Sequence, residues 1–200
     1  MLRPGFFLAR GQRVGLFGGS FDPAHDGHAH VAQTALRRLG LDKVIWLVSP
    51  QNPLKPRSAD LKRRMDSARR FARGPAMIVS DIESRLGSAY TIDTLRALKA
   101  RFVGVHFVWI MGADNLSSLH RWRGWTQIMH ETPVAVIARP GSAIRSRLAP
   151  AAARFARYRL HSRQARILPL TPAPAWLYMR EPFNFSASSA IRAKDKHWGR

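Results

Sequence analysis

The sequence predicts an α/β fold, a mostly parallel sheet doubly wound with helices on both faces. Three observations carry that prediction. Short apolar runs recur along the chain with helical patterns between them. Those runs are apolar at consecutive rather than alternate positions, as strands buried on both faces are. And 200 residues at 46% apolar composition suffice for one domain with a sizeable core. In such sheets ligands bind beyond the carboxyl ends of the strands, so the loops that follow the strands are where chemistry is sought.

Taken in order, Val14-Gly15-Leu16-Phe17 is the first strand, and Ala29 to Leu39 is a helix with Val31, Ala32, Ala35, Leu36 and Leu39 on one face. Val44 to Val48 is a second strand, followed by the proline-rich turn Pro50 to Pro56. A basic helix then starts near Ser58. Its apolar side is Leu61, Met65, Ala68 and Phe71 or Ala72, and its Lys62, Arg63, Arg64, Arg69, Arg70 and Arg73 read as a solvated face. Ala76 to Val79 is a third strand and Thr91 to Lys99 a helix. Val105 to Ile110, ending at Gly112, is a fourth strand. A helical stretch from Asn115 to His130 leads to a fifth strand, Val134 to Ile137. Ile167 to Leu170 reads as a shorter sixth, and Ser186 to Ala193 as a final helix start. Residues 1–13 read as a mobile or peripheral extension, and 14–200 as a single domain.

Composition narrows the classes. No cysteine is present, which excludes disulfides and fits a reducing compartment such as the cytoplasm. The patch Phe6-Phe7-Leu8-Ala9 is too short for a signal-peptide core, and no segment approaches a membrane span. The formal charge of +21 suits anionic partners, but only six of the 33 basic residues are lysine and the arginines are spread along the chain. That distribution predicts no specific nucleic-acid partner and no membrane partner, while steering of polyanionic small substrates remains favourable. A homo-oligomer is compatible with everything above.

The most informative segment is Gly18-Gly19-Ser20-Phe21-Asp22-Pro23-Ala24-His25-Asp26-Gly27-His28. It links the first strand to the first helix. A glycine pair leaving a strand lets backbone pass close to a ligand. The helix start offers N–H groups and partial positive charge to an anion. His25 and His28, three apart, project to the same side. Together they describe a phosphate site with two imidazoles over it.

This segment resembles the nucleotidyltransferase superfamily that carries an H-x-G-H motif, here His25-Asp26-Gly27-His28. Within it, the run is most similar to the nicotinate-nucleotide adenylyltransferases, which join AMP from ATP to nicotinate mononucleotide. The sister phosphopantetheine adenylyltransferases usually have Thr at the position of His25. The resemblance implies a Rossmann-like fold, with ATP and nicotinate mononucleotide as partners and Mg²⁺ entering with ATP rather than on a metal site of the chain. It implies catalytic roles for His25, His28 and Arg192, with Gly18, Gly19 and Ser20 at the ATP phosphates.

Four further segments extend it. Gly112-Ala113-Asp114 resembles the family's adenosine-contacting segment, and Trp122, eight residues after Asp114, its pyridine-stacking tryptophan. An electron-poor ring against an indole face is a favourable pairing. Ala89-Tyr90-Thr91-Ile92-Asp93-Thr94-Leu95 resembles the segment that holds the pyridine carboxylate, where Thr91 also stands as an expected helix N-cap. Ser186-Ala187-Ser188-Ser189-Ala190-Ile191-Arg192 resembles a second phosphate fingerprint, which implies that Ser188 and Ser189 join the ATP site. Pro50 to Pro56 departs from the family's pattern, yet implies mononucleotide contacts for Asn52 and Lys55, beside Phe21. The alternatives left open are a related adenylyltransferase acting on nicotinamide mononucleotide or phosphopantetheine and, from another class, a basic nucleic-acid-binding protein.

Overall fold

The first five expected strands form, and all but the edge strand Met77–Ser80, which is only partly buried, are buried on both sides. In a computed structural model, which describes residues 4–50, 58–138 and 148–180, they are β1 (Arg13–Gly19), β2 (Lys43–Val48), β3 (Met77–Ser80), β4 (His106–Gly112) and β5 (Val134–Ala138). Two more, β6 (Arg159–Leu160) and β7 (Trp176–Arg180), complete a seven-stranded sheet in the order β3-β2-β1-β4-β5-β7-β6. Every pairing is parallel. The strand order reverses direction between β1 and β4, which makes their carboxyl ends the switch point.

Period-two alternation divides the core into two layers. Leu16, Ile45, Leu47, Trp109 and Val136 face one layer, and Phe17, Trp46, Ile110 and Ile137 face the other. The second layer is covered by α1 (Asp26–Arg38) through Val31, Ala32 and Ala35, and by α2 (Leu61–Phe71) through Met65 and Ala68. The first is covered by α3 (Ile82–Arg85), α4 (Thr91–Arg101), α5 (Ala113–Ser118), α6 (Trp125–Glu131) and α7 (Pro150–Arg154). Helices on both faces are what consecutive apolar strand positions require.

The structure corrects two expectations. Ile167–Leu170 is not a strand. It lies in a 3-10 run, Ser162–Leu170, with Ile167 and Leu170 exposed and Pro169, which cannot donate to a ladder, inside. The sixth and seventh strands lie on either side of it, and the apolar run Trp176–Met179 is the signal that marks β7. The expected helix from Asn115 to His130 is broken into α5, a 3-10 turn Leu119–Arg121 and α6, because Gly124 adopts φ +65°. Residues 4–12 of the expected extension pack against the α4–β4 corner: Phe6 stacks on Phe102 at 5.7 Å, Leu8 is buried, and Gly11 N–H bonds Gly104 O at 2.8 Å. No helix among the described residues is long and apolar enough to cross a membrane.

Candidate active site

A cavity of about 350 Å³ opens at the switch point. Gly18 and Gly19, the tip of β1, form its floor, and Trp109, Trp122, Thr91 and Glu83 stand around it. The glycines have a cause beyond ligand approach. A Cβ on Gly18 would overlap the Trp109 ring, and one on Gly19 would come within 3.0 Å of Phe21 Cζ. The strand tip is thus sandwiched between two aromatic rings of the protein, leaving only backbone edges to line the cavity.

Phe21, expected at the mononucleotide, is turned into the core at 1% exposure. Its φ of +46° lies in the left-handed region that a bulky residue occupies only when its surroundings fix it. Here Phe17 and Trp46 receive the ring, and the His28 imidazole meets it edge-on at 5.1 Å. Phe21 therefore supports a site side chain rather than lining the cavity.

His25 and His28 lie together at the start of α1, their ring centroids 3.9 Å apart. The helix begins at Asp26, earlier than the expected Ala29, because the two imidazoles cap it. His25 Nδ1 accepts from Gly27 N–H at 3.1 Å, and His28 Nδ1 accepts from His25 N–H at 3.3 Å. An Nδ1 that accepts leaves the proton of the neutral ring on Nε2. This corrects the expectation that an anion would meet bare helix N–H groups here. Gly27 N–H is engaged by the His25 ring and His28 N–H by His25 O at 2.9 Å, and the nitrogen that carries each neutral ring's proton is Nε2.

The start of α4 is the converse. Its N-cap is Tyr90 rather than the expected Thr91, and no side chain caps it. Among the described residues, Thr91 and Ile92 N–H have no bond, and Tyr90 and Thr91 border the cavity. An uncapped helix start at a cavity is an anion site by its own dipole. Arg123, whose guanidinium lies 4.5 Å over the Tyr90 ring, adds positive charge at the rim.

Glu83, absent from the residues singled out in the sequence, lies on α3 at 3% exposure and borders the same cavity. Burial pushes its carboxyl up to about 7, against the opposing pull of the Thr94 hydroxyl, which donates to it at 3.4 Å. Trp109 was likewise legible only as a strand residue. Its Nε1–H is buried with no partner among the described residues.

Trp122 reaches the cavity because of the break at Gly124. The loop residue is extended (φ −81°, ψ 141°), and its ring stands edge-on to Trp109 at 6.5 Å. Trp125, on the far side of the break, packs edge-on against Phe155 at 6.0 Å, as a core residue would. Gly112 is the N-cap of α5, and a Cβ there would overlap the carboxylate of the exposed Asp114, which folds back over it.

Arg64 overturns the reading of α2 as a helix whose basic residues are all solvated. It is 1% exposed, and its guanidinium donates to four carbonyls: Ser20 O at 3.0 Å, Ser49 O and Pro50 O at 2.6 Å, and Ala59 O at 2.7 Å. Burial lowers its pKa, partly offset by Asp22 and Asp60. The planar fork of arginine can bind carbonyls from several segments at once, here tying the β1 loop to the end of β2. Asn52, Lys55, Ser188, Ser189 and Arg192 lie outside the described residues.

Residues 16–194 match the model of the cytidylyltransferase-like family. A Caulobacter sp. (strain K31) protein named "Probable nicotinate-nucleotide adenylyltransferase" is 64% identical over 91% of this chain and 97% of its own length. A protein of the same name from Roseobacter denitrificans is 52% identical over 96% of this chain and 98% of its own. Among solved structures, nicotinic acid mononucleotide adenylyltransferase of Plasmodium falciparum, complexed with NaAD, shares the fold. Its TM-score is 0.69 at 17% identity, over 91% of this chain and 83% of that one.

Proposed function

The chain belongs to the cytidylyltransferase-like family and, within it, to the nicotinate-nucleotide adenylyltransferases, and from that premise we propose that it transfers AMP from ATP to nicotinate mononucleotide. The products are nicotinate adenine dinucleotide and pyrophosphate. A phosphate oxygen of the mononucleotide attacks the α-phosphorus of ATP, a P–O bond forms, and the bond to pyrophosphate breaks. The attacking phosphate is already an anion, so no covalent protein nucleophile and no strong base are needed. The protein's part is to position two polyanions and to stabilise the charge that moves onto the leaving group.

The observation that carries this reading is a cavity at the switch point that is floored by Gly18 and Gly19 and bordered by the uncapped start of α4, with the His25–His28 pair at the start of α1 following the same strand tip. The Nε2–H groups of His25 and His28 are assigned to the ATP phosphates, with Gly18, Gly19 and Ser20 beneath. Arg192, Ser188 and Ser189 complete that assignment, and Gly112 and Asp114 are given the adenosine. The uncapped start of α4, at Thr91, takes the pyridine carboxylate, and the Trp122 indole takes the ring. Asn52 and Lys55 are assigned to the mononucleotide phosphate. Phe21 keeps an indirect part, through His28. Mg²⁺ arrives with ATP, on phosphate oxygens and water. Among the described residues no three His, Asp or Glu side chains converge on a metal site. A cytoplasmic setting belongs to the same reading, since ATP is the co-substrate.

The test is to mix the protein with ATP and Mg²⁺, add nicotinate mononucleotide, nicotinamide mononucleotide or phosphopantetheine in parallel, and follow pyrophosphate. Preference for the nicotinate substrate is expected. Preference for phosphopantetheine leaves the fold and the imidazole pair intact but removes the pyridine assignment of Thr91 and Trp122.

A further inference from the structure

One titratable group in the cavity has no part in the transfer. Glu83 shares the cavity with Thr91 and Trp122, is itself buried, and among the described residues has only the weak bond from the Thr94 hydroxyl to hold charge on it. The charged groups around it are engaged elsewhere or stand at the rim. On its own helix Arg85 is paired with Asp81 at 2.7 Å. On the neighbouring turn and α4, Asp93 accepts from Ser88 Oγ at 2.8 Å. Arg121 and Arg123 line the opposite wall from outside the core, exposed to solvent. β2, which packs against α3, contributes no residue to the cavity, and Ser49, which follows it, is not titratable.

We propose that Glu83 makes the choice between an acid and an amide pyridine dependent on protons: the cavity takes the ring carboxylate with Glu83 neutral, and the proton is drawn from solvent as the substrate enters. The inference rests on the cavity being the pyridine pocket. Two carboxylates in one buried space repel, so the incoming one raises the proton affinity of the resident one. The resident carboxylate takes one proton and becomes the acid, which then donates a hydrogen bond to the substrate carboxylate. No bond of the substrate breaks. A carboxamide has N–H groups to donate, matches the ionised Glu83, and takes up no proton. Glu83 already sits near neutrality through burial, so the exchange falls within the working pH range.

Linkage fixes the size of the effect. When one group must gain a proton for one ligand and not for the other, the ratio of kcat/KM, acid over amide, falls about tenfold per pH unit above the free group's pKa. The experiment is titration calorimetry of the protein at pH 8 in HEPES and in Tris. Nicotinate mononucleotide and nicotinamide mononucleotide, which carry the same phosphate, are compared on the wild type and on Glu83→Gln. The expected result is close to one proton taken up per acid mononucleotide by the wild type, with none for the amide and none for Glu83→Gln. Equal uptake for acid and amide by the wild type overturns the proposal without recourse to the variant. Uptake by a folded Glu83→Gln variant equal to that of the wild type also overturns it. If the acid mononucleotide does not bind at all, the reading of the cavity fails and the proposal fails with it. Binding without proton uptake removes the proposal alone.

Discussion

The starts of α1 and α4 are built in opposite ways: α4 borders the cavity, and α1 follows the β1 tip that forms its floor. The first turn of α1 is closed by its own imidazoles, which accept from Gly27 and His25 N–H and so carry the neutral ring's proton on Nε2. The first turn of α4 has no side-chain cap, and its neighbour Glu83 is a carboxyl whose proton affinity burial raises, to a pKa of about 7. One end is finished and rigid; the other is left open. A reacting phosphate needs donors fixed in direction, which capped side chains provide, whereas a carboxylate to be recognised needs unspent donors and no competing charge. The difference teaches that a helix N-terminus can serve an anion either directly or through the groups that cap it.

The comparison can be broken at either end. The largest effect is expected from Arg64→Met, which removes the donor to four carbonyls on the α1 side. Leaving buried carbonyls unpaired should lower stability by roughly 3–5 kcal/mol, read as a fall in the denaturation midpoint at unchanged slope. A loss below about 1 kcal/mol would mean that the carbonyls find water instead. His28→Ala should reduce turnover about 10²–10³-fold, by analogy with loss of an oxyanion donor. Near-normal turnover in steady-state assays would remove His28 from the phosphate site.

On the α4 side the effects are smaller and run the other way. Glu83→Gln should stabilise the protein at pH 8 and leave it unchanged near pH 4. The native pKa is raised from 4.5 to about 7, so the stability that goes with the neutral acid is complete below 4.5 and is lost as pH rises through 7. The loss amounts to about 3 kcal/mol at most. Thermal melts across that range would show the two proteins converging in acid; parallel curves would contradict the assignment. Tyr90→Asp supplies the missing cap. It should raise stability by about 1 kcal/mol while abolishing binding of the acid mononucleotide, because the new carboxylate occupies the helix start. Tighter binding would show that α4 does not receive the substrate carboxylate. Thr91→Ala should change stability by less than about 0.5 kcal/mol, since the hydroxyl caps nothing, yet raise the KM for the mononucleotide.

Much of this was legible beforehand, and the limits have physical reasons. Five strands and the early helices announce themselves as apolar runs and a 3.6-residue stripe, because a sheet covered on both faces permits little else. Ile167–Leu170 misled because a short apolar run suits a strand and a partly buried 3-10 turn equally, and Pro169 decides between them. The histidines were identifiable as a pair, but not as caps: that depends on which ring nitrogen accepts, which no residue order encodes. Thr91 was assigned a cap from residue preference, and the backbone placed it one position too late. Arg64 and Glu83 could not be seen at all. A charged residue on a charged helix reads as solvated, and only the packed fold reveals that its head lies under three loops or beside a cavity. Trp122 was found through its distance from Asp114, while the device that turns it inward, the left-handed Gly124, passed as an ordinary glycine within a helix.

The indole of Trp109 fills the volume that a side chain at position 18 would need. In terms of descent, the two positions are therefore inherited as one. A lineage that acquired alanine at 18 would first have to shrink the ring at 109, and a lineage that shrank the ring would open a void under the cavity before any replacement at 18 could fill it. Either single step is a loss, so drift at the site should bypass this pair and collect on the rim, where Arg121 and Arg123 are free to vary without disturbing the floor.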